Sequence, residues 1–406
     1  MQFISTWKKI ITNKIFWLLL LFIGINLVYV NQFSLVLKDT VLINAEGDRR
    51  VITLPYLQEM PVSEYVIAGK IRYDGLISPR LVQIIPDDTV LSLRVNGREV
   101  LLNEVNPAYL SDRVKGFHFN LGRYLHKGDN DLEIRIANGG GPSGLLFQTS
   151  PLNIGHLILL ILIMAMAYLI LSHFIPNKVW ILILLAGFLI RITYFWVTPY
   201  NLRECDVDGH IQYIRYITDN GSLPGRHYGW ETYQPPFYYI TAALVYKAAD
   251  FLGVQGAYYL YRALQLYSLL LFMGFLLAAL LIFQFICSRL SSFQNHTKLS
   301  DATAESPPTK INDWFISLML GVLTFWPTAI VHSIRVGNDV MFYFLYSWGL
   351  YFLMKWYYES KNRYFYISFG LTTLGFITKS NAAVLYGLIG IVYLVKIWQE
   401  RKIKRY

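Results

Sequence analysis

The chain has 406 residues, of which 54% are hydrophobic and only 15% are charged. Soluble domains carry roughly 25% charged residues, so this composition excludes an ordinary soluble protein and indicates several membrane spans. The net charge of +10 fits nucleic-acid binding, but the Lys and Arg residues lie mostly at the ends of apolar runs. Because that placement follows the positive-inside rule, we expect no nucleic-acid partner.

The first 31 residues predict a membrane anchor. Lys8, Lys9 and Lys14 precede an apolar run at residues 15–30, which is about long enough to cross a bilayer. No small-residue cleavage site follows this run. We therefore interpret residues 1–31 as a cytoplasmic N-terminus and an uncleaved signal-anchor helix.

Residues 32–150 predict a β domain, because charges return and no helical periodicity is visible. Apolar and polar residues alternate in three short segments, at 89–95, 117–121 and 132–136. The first segment runs into Asn96-Gly97, a strong hairpin signal. A glycine-rich loop follows the third, at 138–142. The pattern predicts a β-sandwich on the extracytoplasmic side of the membrane.

Two runs in this domain, DDTVLSLRVNGREV and FNLGRYLHKGDNDLEIRIANGGGPSG, resemble galactose-binding-like jelly-roll domains. An Asn-Gly turn followed by a Gly-x-Asn motif occurs there in the same order. The resemblance covers part of the domain. It implies a jelly-roll-like fold whose role is either carbohydrate binding or purely structural.

Residues 151–406 predict a transmembrane domain. Apolar runs lie at 157–171, 179–197, 260–286, 314–331, 340–355, 364–377 and 382–395. Together with the anchor, they predict a polytopic α-helical membrane protein of about 8 transmembrane helices with an inserted β domain. A polar, Ser/Thr/Pro-rich stretch at 288–313 predicts a flexible cytoplasmic loop.

The short apolar run at 237–252 decides the predicted topology. If it lies in the membrane interface, all the basic loops fall on the cytoplasmic side, as the positive-inside rule favours. If it crosses, every later basic loop turns outward. The interfacial arrangement is favoured, and it places the loop at 199–240 and the turns at Arg335 and Lys379 on the same outer face as the β domain.

The outer loop at 199–240 is the longest polar stretch between apolar runs. Carboxylates and cations lie close together in it, with Tyr and Trp residues interleaved; its charged residues include Arg203, Glu204, Asp206, Asp208, Arg215, Arg226 and Glu231. Ionisable groups held at a membrane surface suit chemistry on a lipid-carried substrate.

The loop resembles that of the GT-C membrane glycosyltransferases, in particular the dolichyl-phosphate-mannose mannosyltransferase and aminoarabinose transferase type. The shared pattern is an Asp, then GH..Y......G.LP, a Glu, and QPP.YY at the start of a helix. The matching residues are Asp206, Gly209, His210, Tyr213, Gly221, Leu223, Pro224, Glu231, Gln234, Pro235, Pro236, Tyr238 and Tyr239. Arg262, RVGND at 335–339 and TKSN at 378–381 also fit.

The resemblance extends from about residue 180 to the end of the chain. It implies an enzyme that transfers a hexosyl or pentosyl group from a polyprenyl-phosphate sugar to a glycan, lipid or protein acceptor outside the cytoplasm. Such an inverting transfer needs a carboxylate base and cations at the leaving phosphate. The protein is then expected in the plasma or inner membrane.

Asp206 is favoured over Asp208 as the catalytic base. His210 is the third catalytic candidate, because it lies about one helical turn after Asp206 and can share its face. In the family an acidic residue usually follows the Asp directly, whereas Val207 intervenes here, so Asp208 stays open as the alternative.

Substrate binding is predicted for Arg203, Glu231, Gln234, Tyr238, Tyr239, Arg335, Asn338, Asp339 and Lys379. Arg335 and Lys379 can hold the lipid phosphate. The alternatives are that Arg335 pairs with Asp339, that Lys379 snorkels to the interface, and that the tyrosines anchor a helix rather than forming an aromatic wall. The spacing of His, Cys and acidic residues predicts no metal site, but the use of a divalent cation by some relatives leaves that cofactor open.

Two other functions compete with the enzyme. Relatives usually continue with further spans, so the chain also fits half of a split glycosyltransferase, or a non-catalytic sugar-binding or assembly subunit for cell-surface polysaccharide with a partner membrane subunit. A transporter of lipid-linked sugars should show internal repeats with matched helix breaks, and the sequence shows none.

Overall fold

The computed structural model describes residue 6 and residues 9–75, 78–113, 115–200, 206–225, 227–254, 257–298 and 309–403. The chain forms two compact units. The first comprises Met1–Pro176 and Trp196–Thr198, and the second comprises Asn177–Phe195 and Pro199–Tyr406.

The strands of the first unit form two antiparallel sheets. In chain order they are β1 Leu37–Ile43, β2 Arg49–Val51, β3 Tyr56–Met60, β4 Ser63–Tyr73, β5 Leu81–Pro86, β6 Thr89–Val95, β7 Arg98–Glu99, β8 Phe117–Asn120, β9 Gly128–Asn138 and β10 Gly141–Thr149. One sheet has the order β2-β1-β4-β9-β6-β7, and the other has the order β3-β10-β5-β8.

Both sheets contribute to one hydrophobic core. In β9 every second residue is buried, as expected for a strand with one face on a core. Tyr65, Ile67 and Ile134 enter the core from the larger sheet, and Val82 and Phe147 enter it from the smaller one. Burying such a side chain contributes about 1.5–3 kcal/mol, so the domain has its own source of stability.

The hairpin predicted at Asn96-Gly97 is confirmed. Val95 pairs with Arg98, and both turn residues have positive φ, 52° and 74°, as a two-residue hairpin turn requires. The three predicted alternating segments are β6, β8 with the residue that follows it, and the centre of β9. Strand β10 was not predicted, because its first two residues, Gly141 and Pro142, lie in the predicted loop at 138–142.

Two apolar helices flank the β domain in the chain, α1 at Lys14–Phe33 and α2 at Ile154–Phe174. They pack closely near Gly155, where a Cβ atom would lie 2.8 Å from the Tyr29 ring. Just inside the domain, the Leu35 amide donates to Thr149 Oγ1 at 2.7 Å. The first and last segments of the domain therefore lie side by side.

The second unit is helical in its described residues. Its helices are α3 Lys178–Val197, α4 Val207–Asn220, α5 Phe237–Phe251, α6 Ala257–Lys298, α7 Thr309–Phe325, α8 Pro327–His332, α9 Asn338–Glu359, α10 Asn362–Phe376 and α11 Ala383–Ile403. Within the described chain, four helical segments are long and apolar enough to cross a membrane: Ile154–Phe174, Lys178–Val197, Tyr258–Leu290 and Ser380–Gln399.

The predicted span at 314–331 is not one helix, and this corrects the sequence analysis. Helix α7 ends at Phe325 and a short helix begins at Pro327, with Trp326 between them in extended conformation. Proline disfavours helical geometry in the preceding residue and donates no backbone hydrogen bond. After this break the chain continues through the short helix to the turn that contains Arg335.

Candidate functional site

Helix α4 places the first two candidate residues on one face. Asp206 is its N-cap and His210 lies one turn later, with 3.6 Å between Asp206 Oδ2 and His210 Nε2. The Asp206 side chain is 40% exposed, whereas that of His210 is 6% exposed. Asp208 is exposed and does not face His210. Of the two aspartates, only Asp206 joins the cluster.

Tyr239 holds the other ring nitrogen of His210, with 2.8 Å between its hydroxyl and Nδ1. Tyr239 is fully buried, and burial raises its pKa, so the hydroxyl keeps its proton. Burial also lowers the pKa of His210, against the opposing charge of Asp206. The imidazole therefore favours its neutral form, in which one of the two ring nitrogens carries the remaining proton.

Glu231 is a buried carboxylate beside this pair. Its Oε2 lies 3.8 Å from His210 Nδ1, and this oxygen has no hydrogen-bond partner among the described residues. The carboxylate also interacts with the Gln234 side chain. Burial, and next the charge of Asp206, raise the pKa of Glu231. Gly209 makes the approach possible, because a Cβ there would lie 2.7 Å from Glu231 Cγ and 2.5 Å from Trp230 Nε1.

Two cations from distant turns complete the cluster. Arg335 Nη2 lies 3.5 Å from Asp206 Oδ1, and Lys379 Nζ forms an ion pair with Asp339. The Arg335 and Lys379 side chains are 27% and 24% exposed, so both remain accessible to a ligand. Positive and negative groups thus alternate across a partly open surface.

Asn338 joins the three motifs that carry these residues. Its side-chain amide donates to Gln234 Oε1 at 3.1 Å and to the Thr378 carbonyl at 3.2 Å. The Phe237 amide, at the start of α5, donates to the Ile377 carbonyl at 3.0 Å. The QPP, RVGND and TKSN motifs therefore meet at one point.

No protein-family model, curated protein or solved structure matches this chain. The resemblance to the GT-C enzymes therefore stays a prediction that rests on the motifs. The geometry of the cluster is an independent observation.

The tyrosines of the QPPFYY motif do not line an open surface. Tyr238 and Tyr239 are both fully buried, and the Tyr239 ring stacks on Tyr213 with 3.9 Å between centroids. The exposed aromatic rings near the cluster are instead Trp230 and Tyr233, at 58% and 64%. Sequence reasoning did not single out these two, although both lie in the aromatic-rich outer loop. Arg203 lies outside the described residues.

Three side chains of the cluster can hold a metal ion. Ligand atoms of Asp206, His210 and Glu231 all lie within 4.8 Å of one another. One histidine nitrogen and two carboxylates suit a divalent cation such as Zn²⁺ or Mn²⁺, and the unpartnered Glu231 oxygen fits that use. Sequence spacing did not predict this set, because Glu231 comes from a loop that only tertiary folding brings to α4.

His332 is a further residue that sequence reasoning missed. It is the last residue of the short helix α8. Its carbonyl accepts a 3.2 Å hydrogen bond from the Arg335 amide, so a tight turn connects the two residues. Burial, and next the positive charge of Arg335, lower the pKa of His332. The sequence signal that could have identified it is the presence of a histidine three residues before the RVGND motif.

Proposed function

We propose that this protein is an integral-membrane, GT-C-like glycosyltransferase. It moves a hexosyl or pentosyl group from a polyprenyl-phosphate sugar to a hydroxyl of an extracytoplasmic glycan, lipid or protein, with inversion. The observation that carries the proposal is the position of Asp206, a partly exposed carboxylate between Arg335 and neutral His210.

In the proposed reaction Asp206 accepts the proton of the acceptor hydroxyl. The hydroxyl oxygen then attacks the anomeric carbon of the donor, and the bond from that carbon to the phosphate oxygen breaks. The polyprenyl phosphate leaves with the bonding electron pair. Arg335 and Lys379 each lie beside a carboxylate. In the reaction they move part of their hydrogen bonding from that carboxylate to the phosphate and stabilise its developing negative charge.

The surrounding side chains support this role. His210 and Tyr239 orient Asp206 through a chain of polar contacts, so they act as positioning residues. Trp230 and Tyr233 offer exposed rings on which a sugar can stack. Asn338, Gln234 and Asp339 hold the segments that carry the cations.

The same proposal includes the membrane topology and the β domain. The four span-length helices, with the shorter apolar stretches Lys14–Val30 and Asp313–Phe325, are compatible with about 8 transmembrane helices. The two sheets with a shared core support a jelly-roll-like β-sandwich. The site and this domain lie outside the cytoplasm in the proposed topology, and α5 lies in the interface.

A divalent cation fits the proposal as an optional cofactor. Asp206, His210 and Glu231 would hold it, and it would supply positive charge near the leaving phosphate. The proton transfer to Asp206 and the phosphate contacts of Arg335 and Lys379 are assigned to the protein alone.

A second candidate function is a non-catalytic sugar-binding or assembly subunit, or half of a split enzyme. The observation that favours it is the ion pairing of both cations, Arg335 with Asp206 and Lys379 with Asp339. Such a network can also be purely structural. In this case the protein would bind glycan and a partner membrane subunit without transferring sugar.

The decisive experiment is a transfer assay on the purified full chain with radiolabelled polyprenyl-phosphate hexoses and pentoses. Asp206→Asn removes the basic carboxylate and should lower the rate about 10²–10⁴-fold. Asp208→Asn, an equal change on the exposed side of the same helix, is the matched control and should transfer normally. Activity lost only in Asp208→Asn would move the base by two residues. Full activity in both variants would favour the non-catalytic function.

A further inference from the structure

The first unit contains a cavity at the junction between the β domain and the two apolar helices. Its volume is about 350 Å³, and it is lined by the end of α1, the start of α2 and the segment before β5. That volume falls within the roughly 300–1,000 Å³ of ligand pockets. None of the residues assigned to the transfer reaction lines it.

Part of the cavity lining is polar and electropositive. Arg80 is exposed there and donates through Nε to the Tyr73 hydroxyl at 3.0 Å; no described carboxylate lies within ion-pair distance of its guanidinium. His156 Nδ1 is buried in the wall and has no hydrogen-bond partner among the described residues. Both side chains can donate to an anion.

The first turn of α2 also contributes polar groups to the lining. The Asn153 side chain makes no capping hydrogen bond to this helix; its Nδ2 donates to the carbonyls of Leu81 and Ser150. The first turn therefore has no side-chain acceptor from its N-cap, and its His156 amide donates to the Asn153 carbonyl at 3.0 Å. Amides at a helix start favour negative charge, which reinforces Arg80.

Other lining residues of the cavity are apolar, and some of them are exposed hydrophobic side chains. Tyr29 and Phe33 line it from α1. Leu152 and Ile154, also in the lining, are 55% and 71% exposed. Helix α2 is one of the span-length apolar helices, so the cavity lies at the end of a segment suited to the bilayer. A free inorganic anion would gain nothing from these apolar residues.

We infer that this cavity binds the headgroup of an anionic membrane phospholipid. The phosphate contacts Arg80, His156 and the first turn of α2, and the acyl chains lie along α1 and α2. The chemistry matches the polar and apolar residues of the lining, since a phosphate accepts charge-assisted hydrogen bonds and acyl chains cover apolar surface.

The test is native mass spectrometry of the full chain purified from nanodiscs that contain equal amounts of phosphatidylglycerol and phosphatidylcholine. The wild type should retain phosphatidylglycerol in preference to phosphatidylcholine. Arg80→Glu should lower that preference about tenfold, as expected for the loss of a charge-assisted contact, and Arg80→Lys should keep part of it. Arg98→Glu removes an exposed arginine elsewhere on the β domain and should change nothing.

Each outcome decides the inference. Equal retention of the two lipids by the wild type overturns it without reference to any variant, as does an unchanged preference in folded Arg80→Glu. An equal loss in Arg98→Glu would mean that only net charge matters, which also overturns it. Displacement of the bound phosphatidylglycerol by inorganic phosphate alone would assign the cavity to a free anion rather than a lipid. The result is independent of sugar transfer, so it stands or falls apart from the proposed function.

Discussion

The side-chain amide of Asn338 donates to the side chain of Gln234, a residue 104 positions earlier in the chain. The same amide reaches the Thr378 carbonyl, and Asn338 is only 2% exposed. A buried amide that satisfies two acceptors is costly to replace, because each would lose its donor. This one side chain therefore fixes the position of the Arg335 and Lys379 turns relative to the outer loop.

Asn338→Asp should destabilise the protein by about 1–3 kcal/mol, because a carboxylate would face two oxygen acceptors without water. Thermal unfolding of the detergent-solubilised protein measures this change. Asn220→Asp is the matched control, since Asn220 makes a comparable amide-to-carbonyl contact in an exposed position. Equal melting temperatures for Asn338→Asp and wild type would contradict the joining role of Asn338.

Glu231→Gln should stabilise the protein at pH values above the folded-state pKa of Glu231. The folded-state pKa of Glu231 is raised by burial, so the free energy of unfolding falls as the pH rises through that pKa. Glutamine removes this dependence. The gain in melting temperature, measured with a chelator present, should therefore shrink as the pH falls towards the ordinary value of 4.5.

The matched control for Glu231→Gln is Glu99→Gln, which changes an exposed glutamate in β7 and should have little effect at any pH. A pH-independent loss of stability in Glu231→Gln would mean that the carboxylate is ionised and held by a partner in the folded protein.

Gly209→Ala should lower the melting temperature, because its Cβ would lie 2.5 Å from Trp230 Nε1 and force the outer loop away from α4. Overpacking of this kind costs about 1–3 kcal/mol. Gly225→Ala adds the same methyl group where nothing lies within 4 Å and serves as the control. If the two variants had the same melting temperature, the close approach of the loop to α4 would not exist in solution.

Residues 33–150, expressed alone, should give a soluble β protein that unfolds cooperatively. The reason is that the two sheets share one core within this segment. Circular dichroism during heating measures the transition. A disordered product would show that the domain needs the membrane helices to fold.

Cysteine labelling tests the proposed topology in a chain whose native Cys205 and Cys287 are replaced by serine. A membrane-impermeant thiol reagent applied from outside should modify Asn220→Cys and Asn381→Cys, both at exposed positions. It should not modify Lys361→Cys, which the positive-inside rule places in the cytoplasm. Labelling of Lys361→Cys and not of Asn381→Cys would mean that α5 crosses the membrane.

Sequence patterns predicted the features that depend on neighbouring residues. Alternation and an Asn-Gly pair were sufficient for the β6–β7 hairpin, because strand faces and turn geometry are local properties. The four-residue spacing of Asp206 and His210 likewise predicted their shared face, since α4 begins directly after Asp206.

Features that depend on distant contacts were not predictable in this way. Nothing near Glu231 in the chain indicates that its carboxylate is buried beside His210. That burial depends on the path of the outer loop and on the close approach to α4 that Gly209 allows. Tyr239 was expected at the substrate, whereas its hydroxyl holds His210. Apolar and aromatic patterning does not distinguish a ring that faces a ligand from one that faces a buried histidine.

The hydrogen bond between Leu35 and Thr149 spans 114 residues and brings the two attachment points of the β domain together. A domain attached in this way separates the end of α1 from the start of α2 by little more than a tight turn would. Genetic insertion, exchange or deletion of such a module would leave the register of the two helices unchanged. Replacing residues 36–148 with a short glycine-serine linker should thus give a helical hairpin, and domains of other specificity could be grafted at the same two positions.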